Sequence, residues 1–97
     1  MRRGTTPTIT ITTDIDLTAA SNLFVTFKHG GETIFEKTLK DVNVTKNAVV
    51  CVLTQKDTLA LKGSTVRFQI RATLGDSKVA SNIMTASVDE ILKGGEI

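Results

Sequence analysis

The sequence predicts an all-β protein: an antiparallel β-sandwich of about six or seven strands with one short helical turn. Three observations predict it. Thr8 to Thr12 alternates Thr and Ile with a period of two. Thr65 to Leu74 repeats that period, with Val66, Phe68, Ile70, Ala72 and Leu74 on one face and Arg67, Gln69, Arg71 and Thr73 on the other. Glycine-bearing breaks, His29-Gly30-Gly31-Glu32 and Gly75-Asp76-Ser77, read as hairpin turns. β-branched residues at this period suit a half-buried strand, and glycine supplies the positive φ of tight turns.

Each element follows in order. Pro7 sits where a strand start loses least from its missing N–H. Asp14 to Asp16 then break the first run. Leu23, Val25 and Phe27 alternate with Phe24, Thr26 and Lys28 in a second strand, and Thr33 to Leu39 returns as its partner. The two faces of that partner are not cleanly sorted, which predicts an edge or twisted strand. Lys40 to Lys46 fits a short strand or an extended loop. Ala48 to Leu53 is a continuous apolar run, the pattern of a strand buried on both faces. Thr54 followed three residues later by Asp57 reads as a helix N-cap, with Leu59 to Leu61 tucked under the sandwich and Gly63 ending the turn. Lys78 to Val88 returns from the Gly75 hairpin with weaker patterning. Asp89 to Lys93 could form a helical turn ahead of Gly94-Gly95. The expected core is Ile9, Ile11, Leu23, Val25, Phe27, Val49, Cys51, Leu53, Val66, Phe68 and Ile70.

With 97 residues the chain reads as one domain, 1–97, with a flexible N-terminal arm at 1–6 and a C-terminal tail at 89–97. Hydrophobic residues are 40% and charged residues 23%, a globular balance rather than a disordered one. A net charge of +2 argues against nucleic acid as the partner. No apolar run nears the roughly 20 residues that cross a bilayer, so no membrane partner is expected. Met1-Arg2-Arg3 is charged like the start of a signal peptide, but Gly4 to Thr8 supplies no apolar region after it. The expectation is a protein made in the cytosol.

Residues with chemistry are few. His29 is the only histidine and Cys51 the only cysteine. Neither a triad nor a Cys-rich zinc site can be built from them. His29, beside a hairpin, reads as a solvated surface residue. Cys51, inside the apolar run, reads as a small buried hydrophobe with a raised pKa. Asp14-Ile15-Asp16 lacks the ligand count of a calcium loop and reads as a turn. Gly30-Gly31 and Gly94-Gly95 form no phosphate fingerprint. No catalytic, cofactor-binding or metal residue is therefore assigned, and an enzyme is not expected. Arg2, Arg3, Arg67 and Arg71 are the only arginines. Arg67 and Arg71 share a strand face, so they are either a solvated outer face or a docking face for an acidic neighbour. All four are candidate partner contacts.

Met1 to Thr8 reads Met-Arg-Arg-Gly-Thr-Thr-Pro-Thr, and a strand follows at once. This opening resembles that of small tail proteins of bacteriophages and prophages of Gram-positive hosts. It is similar to the N-terminal domain of upper baseplate proteins. Leu53 to Leu61 and Val66 to Arg71 also look like segments of those proteins. The resemblance implies an immunoglobulin-like sandwich used as an assembly module. Its site would be the virion tail or baseplate, after synthesis in the bacterial host cytoplasm. Its partners would be other tail or baseplate proteins, or copies of itself in a homo-oligomer or ring. Upper baseplate proteins continue into long further regions, so the resemblance reaches the attachment module and not a receptor-binding or fibre part. A second class of reading is a carbohydrate- or host-surface-binding sandwich, which usually needs exposed aromatic platforms; Phe24, Phe27, Phe35 and Phe68 look mostly like core.

Overall fold

The computed structural model describes residues 1–97. Eight strands run in the order β1 (Thr8–Thr12), β2 (Asn22–His29), β3 (Glu32–Thr38), β4 (Val42–Thr45), β5 (Ala48–Val52), β6 (Thr65–Leu74), β7 (Ser77–Ala80) and β8 (Met84–Ser87). A 3-10 turn covers Leu39–Asp41, and helix α1 covers Gln55–Leu59. The smaller sheet has the order β1-β5-β4; the larger has β3-β2-β6-β7, with β8 also paired to β6. Every strand pair is antiparallel.

The strand count exceeds the expected six or seven for two reasons. Lys40 to Lys46 does contain a strand, β4. The run from Lys78 to Val88 breaks in two at Ser81–Ile83. There the Ser81 hydroxyl accepts from Ile70 N (3.0 Å) and Ser81 N donates to Ile70 O (2.9 Å), so one serine replaces a stretch of regular ladder.

The topology is immunoglobulin-like. With β1 in the place of strand B, the sheets read B-E-D and C′-C-F-G, and α1 lies at the E–F corner. Strand A, which flanks strand B in that arrangement, has no counterpart.

Alternation sorts the side chains. Leu23, Val25 and Phe27 of β2 meet Val66, Phe68, Ile70 and Ala72 of β6 against Ile11, Val49, Cys51 and Leu53 of the smaller sheet. All eleven residues of the expected core join this cluster, ten buried and Ile9 half-buried at the β1 edge. Leu17, Leu61, Ala72 and Val88 complete it. Phe27 lies between Phe35 and Phe68, with ring centroids 4.5 and 5.4 Å away.

β5 departs from expectation. Its apolar run is covered on one face only: Val49 and Cys51 are buried while Val52 is 57% exposed. No second layer lies over the smaller sheet. β3 is an edge strand, as its mixed pattern predicts, and the cause is a bulge: register shifts between Phe27 and Lys28, so both Ile34 and Phe35 reach the core.

α1 forms from its predicted cap. Asp57 N donates to Thr54 Oγ1 (3.1 Å) and Thr54 N donates to Asp57 Oδ2 (2.9 Å). The helix ends at Ala60 rather than at Gly63, and Leu61 is the residue that tucks into the core. Gly63 has φ +72°, and His29 lies over it: a Cβ there would collide with the imidazole. His29 is thus half-buried, with Nδ1 3.2 Å from Thr65 O, rather than a freely solvated loop residue.

The ends of the chain also differ from expectation. Residues 1–6 are packed against their own chain instead of forming a free arm. Asp89 N donates to Met1 O (2.7 Å) and Arg3 N donates to Asp89 O (3.1 Å), a short parallel bridge between distant segments. The buried Thr58 hydroxyl donates to Thr5 O (2.7 Å). Asp89 is committed to that bridge, and residues 89–93 form no helical turn.

Candidate docking face

The outer face of the larger sheet is where the candidate arginines gather with other charges. β6 sends Arg67, Gln69, Arg71 and Thr73 outward because its inward positions hold Val66, Phe68, Ile70 and Ala72. Register then adds neighbours. Lys28 lies opposite Arg67, Thr26 opposite Gln69, and Phe24 opposite Arg71. Lys78 of β7 lies opposite Thr73 and donates to its hydroxyl at 3.3 Å. Glu36 of β3 is the one carboxylate set among these cations, and it accepts from Thr26 Oγ1 at 3.1 Å.

Arg67, Arg71 and Lys28 are exposed and have neither an ion-pair partner nor a side-chain hydrogen bond within the chain. Arg67 and Arg71 stand roughly 14 Å apart along one strand, since a strand rises about 3.4 Å per residue. A groove of about 480 Å³ runs between them, floored by Gln69 and Thr26 and bordered by Ile83. Phe24 is 40% exposed and Ile83 53% exposed on this side. Unpaired guanidinium groups beside an exposed ring and an exposed aliphatic side chain match the composition of interface centres. The groups sit on strands, so their spacing is held by the sheet.

Arg2 and Arg3 belong elsewhere. The Arg3 guanidinium donates to Leu59 O (2.9 Å), answering a carbonyl at the end of α1. Arg2 donates to Glu90 O (2.6 Å). Arg3 ties the N-terminus to α1 and Arg2 ties it to the C-terminal segment, so both guanidinium groups are already engaged, unlike those of Arg67 and Arg71. Lys28 and Lys78 were missed by sequence reasoning; the β6–β7 hairpin at Gly75 was the signal that could have placed Lys78, whereas Lys28 joins through the long-range β2–β6 pairing.

The residues with conventional reactivity are structural here. Burial pushes the Cys51 thiol up, and nearby Lys37 only partly offsets this. Cys51 is 0% exposed. Its reaction with an aromatic disulfide reagent at neutral pH should be slow and should track unfolding; a rapid stoichiometric reaction of the folded protein would contradict this packing. Asp14 and Asp16 form a turn, in which Asp16 Oδ1 accepts from Thr18 N (3.0 Å) and Thr18 Oγ1 (2.6 Å). Those two bonds hold the Asp16 carboxyl below its usual range. No helix is long and apolar enough to cross a membrane.

Comparisons with protein-family models, with curated proteins and with solved structures gave no match.

Proposed function

We propose that this chain is an assembly module of a bacteriophage tail or baseplate, working by docking onto an acidic surface of a neighbouring structural protein. The observation that carries the docking reading is the rigid basic face: Arg67, Arg71 and Lys28 are exposed and unpaired around one groove. Four cations, counting Lys78, face a single carboxylate there, so an acidic partner gains attraction at every approach and basic surfaces are repelled. Arginine in a rigid fork suits paired carboxylates. The tail assignment rests on the resemblance of Met1 to Thr8 and the immunoglobulin-like topology that the resemblance implies.

A carbohydrate- or host-surface-binding module is the second reading. Phe24 favours it, since it offers an exposed ring beside Arg71. One ring is a small platform, and the groove is rich in charge rather than in aromatic surface.

The test is made in tail particles purified from the cells that encode the chain. An antibody should find the protein in those particles. The double substitution Arg67→Glu, Arg71→Glu should leave the fold intact and cut incorporation at least tenfold. Absence of the wild-type chain from particles would sink the tail reading. Unchanged incorporation of the double variant would sink the docking face.

A further inference from the structure

The smaller sheet ends on an uncovered strand. β1 pairs only with β5, on one side. Leu53 N donates to Pro7 O and Thr13 N donates to Asn47 O, both at 2.9 Å. These bonds fix which residues face β5: Ile9 and Ile11 exchange bonds with it, while Thr8, Thr10 and Thr12 aim their N–H and C=O groups at the open side. All three threonines are exposed. This is the side on which strand A lies in the immunoglobulin arrangement.

The other edges carry defences that β1 lacks. β3 holds Glu32, Glu36 and Lys37 and a bulge. β4 is four residues long, bracketed by Asp41 and Lys46. The β7–β8 edge holds Lys78 and is interrupted at Ser81–Ile83. β1 reads Thr-Ile-Thr-Ile-Thr, with no charge, no bulge and no glycine. Charges, bulges and short length are how sheets avoid edge pairing. Pro7 does not block it, because its missing N–H belongs to the residues that face β5 rather than the open side.

We infer that β1 is a self-pairing edge: two copies of this chain join antiparallel across β1 about a two-fold axis at Thr10. The strand dictates the register. Thr10 meets Thr10 of the partner copy, and Thr8 meets Thr12 in both directions. All three outward residues are then used, giving roughly six hydrogen bonds at two per facing pair. A shift of two residues either way loses one of these pairs, and a shift of one turns the side chains to the wrong faces. No like charges oppose each other in this register. Ile9, which is half-exposed at the edge, comes beside Ile11 of the other copy and is covered. The three-stranded sheet becomes one of six strands.

A five-residue ladder buries well under the roughly 1,200 Å² of a stable interface, so the pairing is weak for free molecules. It strengthens when copies are held side by side, because tethering raises the effective concentration to about the millimolar range. The inference does not depend on the tail assignment.

Sedimentation velocity of the full chain tests it, run from low micromolar up to about 1 mM, the affinity range of a weak contact. The expected result is a monomer that converts to a dimer and no larger species. Thr10→Lys sets two ammonium groups against each other across the axis and should weaken dimerisation at least tenfold. Asn43→Lys puts the same charge on the same sheet face at the opposite edge and should leave it unchanged. Thr10→Val keeps the β-branched strand and should dimerise like the wild type; melting curves confirm that all three variants fold. The register has its own readout. A short bis-maleimide should join two copies of Thr10→Cys but not of Thr8→Cys, whose thiols would lie roughly 14 Å apart at about 3.4 Å per residue. A monomer throughout the range, association untouched by Thr10→Lys, or equal cross-linking of the two cysteine variants would each overturn the inference.

Discussion

Phe27→Ala should destabilise the domain by about 3–5 kcal/mol, the usual cost of removing a buried phenylalanine. Phe27 is fully buried and its ring is stacked between Phe35 and Phe68. It sits on the central strand pair β2–β6, so the cavity would open in the middle of the larger sheet. Domains of this size have total stabilities of about 5–15 kcal/mol, so about a fifth or more would be lost. Thermal melting should show a fall of roughly 12–40 °C, at about 4–8 °C per kcal/mol. A fall of less than about 5 °C would mean that the site collapses around the gap and that the ring contributes little.

Asp57→Ala should be nearly as costly, at about 2–4 kcal/mol, and for an electrostatic reason. Lys37 lies on the inward face of β3, opposite Val25, and its ammonium reaches Asp57 at 2.5 Å. Both side chains are mostly buried, at 14% and 17% exposure. Asp57 also closes the capping box of α1. Its removal leaves a part-buried ammonium unpaired and strips the helix start. Lys37→Met should cost less, because the remaining carboxylate keeps its bonds to Thr54. A Lys37→Met variant less stable than Asp57→Ala would reverse this account of the pair.

The same carboxylate makes stability pH-dependent. Burial pushes the Asp57 carboxyl up, but Lys37 and the bonds from Thr54 outweigh it and hold it below its ordinary value. Asp41, bonded by the Thr38 N–H and hydroxyl, moves the same way, as does Asp16. A carboxyl lowered by folding contributes its stability in full above the unfolded value of about 3.9 and loses it as pH falls through the folded one. The melting temperature should therefore hold steady from neutral pH toward about 5 and drop steeply below about 4. In Asp57→Asn the acid-side drop should be shallower.

Much of this fold was legible in the chain because alternation and capping are local. β1 and β6 fall on their patterned residues, and Thr54 with Asp57 marks α1. What escaped depends on what lies above or beside an element. The run Ala48 to Leu53 is apolar throughout, yet Val52 faces out, because a hydrophobic run does not reveal how many layers cover it. Asp89 to Lys93 reads as a helical turn, yet the backbone of Asp89 is taken by Met1 and Arg3, a pairing between opposite ends that no local pattern encodes. Leu17 and Val88 enter the core from loops with no periodicity to mark them. The docking face was half legible: Arg67 and Arg71 follow from alternation, while Lys28 and Lys78 join them only through register.

Lysine footprinting tests the docking face most directly. Lys28 and Lys78 lie on it; Lys46, Lys56, Lys62 and Lys93 are exposed elsewhere. Acetylation should be compared between the free chain and the chain assembled in its particle. The docking account predicts that Lys28 and Lys78 become protected at least fivefold while the other four react as before. Undiminished acetylation of Lys28 and Lys78 in the assembled chain, with protection falling on the other lysines or on none, would contradict it.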